Sequence, residues 1–205
     1  MNDQKIYRVR RVKAELKWEN AELLTDFVFP WKNEDAPLTE FRALADEQTL
    51  HFRFDIHDDD VVLDSSKDPD EAVLGSDRAE LFFSQTPDMS KPYYGLEMDP
   101  RGGVYDYEGR YHREIDPVWK MPKLELEGEV TERGYVVSGR VDLQVLRNLG
   151  CLRGQEMITG VYRAEFSHNA DGSIRQEWIS WVDPASEVPD FHVPASFGRF
   201  IFEEK

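Results

Sequence analysis

Apolar and polar residues alternate with a period of two along most of this chain. In Leu50-His51-Phe52-Arg53-Phe54-Asp55-Ile56-His57 the residues Leu50, Phe52, Phe54 and Ile56 share one face and the polar residues share the other. That period belongs to a pleated strand with one side buried, since a helix would scatter the same residues around its axis. The stretch from Glu40 to Leu44 reads as its preceding partner, joined through Asp46-Glu47-Gln48. Ala79-Glu80-Leu81-Phe82-Phe83 reads as a further strand, with its apolar residues less cleanly sorted.

Turn residues then divide the chain into hairpins. Tyr93 to Met98 meets Val104 to Tyr107 across Asp99-Pro100-Arg101-Gly102-Gly103. Lys123 to Val130 meets Tyr135 to Val141 across Thr131-Glu132-Arg133-Gly134. Met157 to Ser167 meets Ile174 to Val182 across Asn169-Ala170-Asp171-Gly172, and Phe197 to Phe202 closes the chain. Such Gly- and Asn/Asp-bearing turns between alternating runs are hairpin signals. One short helix is predicted from Asp142 to Asn148, with Asp142 as its N-cap and Gly150 near its end. Roughly ten strands and almost no helix predict an all-β, antiparallel β-sandwich. With no linker, repeat or low-complexity tract, residues 1–205 read as a single domain.

Composition narrows the function. The formal net charge is −16, which argues against nucleic acid or an anionic membrane as partner. Yet 12% of the residues are aromatic, far too many for a disordered acidic chain. Cys151 is the single cysteine, so neither an internal disulfide nor a cysteine metal site is expected. The first residues lack the apolar stretch of a signal peptide, and no window resembles a membrane span. The expectation is therefore a cytoplasmic location, unless an export signal was removed.

Four groups of residues carry possible chemistry. Asp55, Asp58, Asp59, Asp60, Asp64, Asp68, Asp70 and Glu71 crowd one strand-to-loop passage. This run reads either as a solvated acidic loop or as oxygen ligands for a structural Ca²⁺, which takes about six to eight of them. Asp58, Asp59, Asp60 and Asp64 are the metal candidates. The histidines His51, His57, His112, His168 and His192 form no pair with zinc-ligand spacing. His192 stands out because it sits in an aromatic and Pro-rich loop. Glu80, Glu97 and Glu165 are embedded in apolar strands, and two carboxylates facing one groove are what glycoside hydrolysis requires. Finally, Trp and Tyr faces stack on sugar rings, although most of the aromatic residues must fill the core.

Several segments, taken in order, resemble the family 9 carbohydrate-binding modules within the wider DOMON-like group of β-sandwiches. They are Leu38 to Asp46 with Leu50 to Phe54, Ser76-Asp77-Arg78-Ala79-Glu80-Leu81-Phe82-Phe83, Tyr93 to Gly102 and Val161-Tyr162-Arg163-Ala164-Glu165. Trp178-Ile179-Ser180-Trp181-Val182-Asp183-Pro184 and Pro189 to Phe200 complete the series. The resemblance implies a β-sandwich, a mono- or oligosaccharide ligand, often a plant polysaccharide chain end, and structural calcium. It also implies a sugar ring held between two Trp side chains and helped by a Glu on a central strand.

Glu80 occupies the matching Glu position, whereas the position six residues earlier, Trp in the family, is Leu74 here. Trp178 or Trp181 matches the second Trp, and alternation places these two on opposite faces. The resulting expectation is non-catalytic carbohydrate binding through Glu80, Trp181, Trp178, Glu97 and His192. The alternatives are a calcium-stabilised interaction module with a degenerate sugar site, or a glycoside hydrolase. The family's link to polysaccharide degradation comes through the hydrolases to which its modules are fused.

Overall fold

The computed structural model of the chain describes residues 5–13 and 15–204. Among them run thirteen strands: β1 (Ile6–Arg11), β2 (Thr39–Ala45), β3 (Thr49–His57), β4 (Arg78–Ser84), β5 (Tyr93–Met98), β6 (Val104–Arg110), β7 (Glu114–Asp116), β8 (Glu125–Thr131), β9 (Gly134–Asp142), β10 (Leu152–Arg153), β11 (Glu156–His168), β12 (Ile174–Ser180) and β13 (Gly198–Phe202). Two short helices, α1 (Pro69–Leu74) and α2 (Leu143–Asn148), interrupt them. Eleven strands form one hydrogen-bonded path in the order β7-β6-β5-β4-β11-β13-β1-β2-β3-β9-β8, and β10 and β12 both pair with β11.

The path curls over on itself at β1. Ile6 to Val9 pair with β13, while Arg10 and Arg11 pair with β2, so this one strand passes from one half of the sheet to the other. Both pairings are parallel, which corrects the expectation of a purely antiparallel sandwich. The reason is topological: β1 meets strands that no hairpin connects to it, and a connection that long leaves either direction open. The strand count is also higher than roughly ten, because β1, β7 and β10 were not foreseen.

α1 is the second correction, since one helix was expected. Asp68 caps it, accepting from the backbone N–H groups of Asp70 (3.0 Å) and Glu71 (3.1 Å), and Pro69 opens it. Asp142 caps α2 in the same way, accepting from Gln144 (2.7 Å) and Val145 (3.2 Å). A side-chain oxygen at this position satisfies donors that have no partner inside the helix.

The main core lies between the two halves of the curled sheet. Phe41, Phe52, Phe54 and Val137 come from one half, and Leu81, Phe83, Leu96, Met98 and Val161 from the other. Alternation then puts Arg78, Glu80 and Phe82 of β4 on the outer face, beside Glu97 of β5 and Tyr162 of β11. A second, smaller apolar cluster covers this outer face: Phe82, Met89, Tyr93, Tyr107, Tyr162, Phe191 and Phe197. A Cβ on Gly95 would run into the Tyr107 ring, so glycine there lets an aromatic side chain lie flat across the sheet. No helix of the described residues is long and apolar enough to cross a membrane.

Candidate functional site

A cavity of about 310 Å³ opens on the outer face, above the β4–β5 pair and beside β12. Its floor is charged. Glu80 and Glu97 stand directly opposite each other across β4 and β5. Arg78, two residues before Glu80, places Nε 3.0 Å from Glu97 Oε2 and 3.5 Å from Glu80 Oε1. Neither contact has the direction of a hydrogen bond, so the three groups are held by charge rather than by a fixed proton bridge.

The guanidinium is anchored from behind. Its Nη1 donates to the carbonyls of Leu74 (2.6 Å) and Ser76 (3.1 Å), at the end of α1. The same group lies over the rings of Phe166 (5.4 Å) and Trp178 (5.9 Å). Arg78 therefore ties the α1 terminus, the carboxylate pair and the aromatic wall to one another.

Burial raises both Glu80 and Glu97 above the ordinary carboxylate range. For Glu80 the neighbouring Glu97 charge pushes further in that direction, and Arg78 opposes it. Carboxyl oxygens accept hydrogen bonds and a guanidinium donates them, so the floor offers both kinds of group.

The walls come from three separate segments. Leu74, 39% exposed, forms one rim at the end of α1. Trp178 lines the cavity from β12, its ring 6.0 Å from that of Phe191 at an interplanar angle of 86°. Pro189, Asp190, Phe191 and His192 form the third wall, in the stretch leading to β13. Phe191 stacks on Tyr162 at 4.3 Å and 11°, which fixes that stretch against the sheet.

Asp190 locks this wall to the turn after β6. Its Oδ1 accepts from Arg113 Nη2 (2.9 Å) and from the His192 backbone N–H (2.8 Å), and His112 Nε2 lies 2.6 Å from Oδ2. Burial would raise Asp190, but His112, the His192 N–H and Arg113 together hold it below the usual range. His192 is pushed down to about 4 by its burial, with Arg113 adding to the effect. It is thus a neutral imidazole at physiological pH, hydrogen-bonded through Nδ1 to the Tyr93 hydroxyl at 2.7 Å.

Of the residues singled out from the sequence, Glu80, Glu97, His192 and Trp178 line this cavity. Trp181 does not: it is 1% exposed and packs against Phe200 in the main core. The two Trp residues are on opposite faces, as alternation requires. Arg78, Arg113, Asp190 and Phe191 line the cavity without having been foreseen. Arg78 carried a signal, since period two from Glu80 puts it on the same face. Arg113 and Asp190 carried none, because only tertiary structure brings their loops together.

The metal candidates do not converge on one point. Asp59 is exposed. Asp60 pairs with His168, whose Nδ1 lies 2.8 Å from Oδ1. Asp64 accepts from the Ser66 backbone N–H at 2.6 Å. Asp58 alone enters an acidic group, in which Asp58, Asp77 and Glu165 each offer one oxygen and all lie within 4.8 Å. Glu165 thus faces inward, away from the cavity.

Oxygens of that type suit a hard cation, but a cation of the chain is already among them. Arg163, fully buried, places Nη2 3.3 Å from Asp58 Oδ2 and pairs with Glu165. Asp77 spends both oxygens on backbone N–H groups, those of Val62 (2.6 Å) and Phe166 (2.7 Å). The residues present fit a guanidinium, and with it in place they do not fit Ca²⁺.

Comparison with known proteins follows the same lines. Residues 12–205 match the family described as carbohydrate family 9 binding domain-like. No curated protein matches the sequence. Among solved structures, a proposed carbohydrate-binding protein from Bacteroides uniformis is similar with a TM-score of 0.70 at 20% identity, covering 98% of this chain and 100% of that one. A family 9 module from Caldicellulosiruptor kristjanssonii in complex with glucose gives 0.62 at 12% identity, covering 98% and 97%. The cellotriose complex of a family 9 module from the same organism gives 0.61 at 12% identity, covering 98% and 95%. At these identities the structural likeness speaks for the fold.

Proposed function

The chain belongs to the carbohydrate family 9 binding domain-like family, and on that premise we propose that it is a non-catalytic module binding a mono- or oligosaccharide in the outer cavity. One observation carries the reading: a carboxylate pair and its guanidinium form the floor between an aromatic wall and the Leu74 rim. Sugar rings present C–H faces that pack on apolar walls and hydroxyls that need both donors and acceptors. Trp178, Phe191 and Leu74 supply the first, and Arg78, Glu80 and Glu97 the second. Compensation of charge within the floor suits a neutral ligand, which gives up no ion pair on entering. The relatives solved with glucose and cellotriose support the same ligand class.

Glu80 and Glu97 act in this reading as hydrogen-bonding groups, with no role in bond cleavage. A plant polysaccharide chain end is the extended ligand we favour, with a part in polysaccharide degradation through anchoring. Calcium is left out of the proposal, because Asp58 stands beside Arg163 and Asp59, Asp60 and Asp64 point elsewhere. Calorimetric titration with glucose, xylose, cellobiose and cellotriose tests the reading. Binding that Glu80→Ala abolishes in a folded protein is expected. Silence from the whole panel at millimolar sugar would favour an interaction module whose sugar site has decayed at Leu74.

A further inference from the structure

We infer that Arg163 is the resident cation of the inner acidic cluster and does there what a bound divalent ion would otherwise do. Val161, Arg163 and Glu165 share the inner face of β11, opposite the face that carries Tyr162. An arginine on that face points into the seam between the sheet halves, where a charge without partners cannot stay. Its partners arrive from several places in the sequence. Nη1 donates to Thr39 Oγ1 (3.3 Å) and to the carbonyl of His57 (3.2 Å). Nη2 meets the carboxylates of Asp58 and Glu165.

Thus a hydroxyl, a backbone carbonyl and two carboxylates, drawn from β2, the end of β3 and β11, converge on one cation. That is the oxygen set and the cross-linking role of a hard metal site. The resemblance extends to the bonding. Nη2 of Arg163, Oδ2 of Asp58 and Oε2 of Glu165 are buried and find no partner outside these charge pairs, so the charges are answered within the cluster, as they are around an ion. The Tyr135 hydroxyl, also buried and unpartnered, lies in the field of the same groups. A divalent ion added here would meet a fixed positive charge at contact distance. It would also find Asp77 already committed to two backbone donors.

The test uses the whole chain and calcium alone. Wild-type protein is melted in excess CaCl₂ and in excess EDTA, and Ca²⁺ is titrated into it calorimetrically. Equal melting temperatures and no binding heat are expected. Arg163→Ala, which leaves the oxygens facing an empty space, should melt roughly 10 °C lower and regain part of that loss in calcium. Should that variant fail to fold, Arg163→Lys keeps one positive charge and is expected to melt at a temperature that calcium does not change. A wild-type melting temperature that falls in EDTA, one-to-one calcium binding lost in Asp58→Asn, or a calcium requirement in Arg163→Lys would each overturn the assignment.

Discussion

Two arginine–carboxylate clusters occupy opposite faces of the same sheet half, and their surroundings give them opposite uses. On the outer face Arg78 meets Glu80 and Glu97. On the inner face Arg163 meets Asp58 and Glu165. The charged groups are alike, and both arginines are almost wholly buried. What differs is the cover. The inner cluster lies between the sheet halves with Glu165 at its edge, and its charges tie β2, the end of β3 and β11 together. The outer one is roofed by separate loop segments that leave a cavity of about 310 Å³ beside aromatic rings. Charge of this type becomes a binding site only where the fold leaves room for a ligand beside it.

Variants separate the two clusters, and the largest effect belongs to the inner one. Arg163→Met, which strands two buried carboxylates, should lose about 3–5 kcal/mol of stability in chemical denaturation. A loss below about 1 kcal/mol would mean that the inner pairs are spectators. The outer cluster should respond in affinity instead. Glu80→Gln replaces an acid already raised by burial with a neutral isostere, so it should fold with nearly unchanged stability. Its sugar affinity, measured by calorimetry, should fall roughly 10-fold, the cost of one hydrogen bond. Collapse of the fold with this change would assign Glu80 to the scaffold.

The dependence of stability on pH divides the clusters again. Burial first, opposed by hydrogen bonds or by Arg163, pushes Asp77 and Glu165 up to about 7, well above their ordinary values. Folded carboxyls that keep protons which the unfolded chain has released contribute stability at pH 4 to 5 and lose it as pH climbs through 7. Glu165→Gln should therefore flatten the fall in stability between pH 5 and 8, by about 1–2 kcal/mol in all. His192 works in the opposite sense: its lowered value removes stability as pH drops from about 6 toward 4. The smallest effect is expected at the rim. Leu74→Trp adds a second indole to the lining of the cavity and should raise sugar affinity roughly 3- to 10-fold. An unchanged affinity would mean that the ligand rests on the other walls.

Much of the fold was legible where a segment's partner is its neighbour in sequence. Tyr93 to Met98 and the Asp142-capped helix are found within a residue of their expected bounds, because alternation and a capping side chain act locally. β1 was not legible. Tyr7 and Val9 alternate correctly, but the strand's partners lie in β13 and β2, and nothing in six residues announces a parallel pairing with the far end of the chain. α1 was hidden for another reason. Asp68-Pro69-Asp70-Glu71 is a helix start, yet within so acidic a run it reads as part of a solvated or ion-binding loop. At the site, Glu80 and Glu97 follow from alternation, whereas Asp190 and Arg113 meet only because two loops cross.

In the proposed function the outer cavity holds a sugar. A crystal of the protein soaked in glucose or cellotriose tests it most directly. A pyranose ring lying against Trp178, with hydroxyls within hydrogen-bond distance of Glu80 or Glu97, is expected. A sugar bound at another surface while this cavity stays filled with solvent would contradict it.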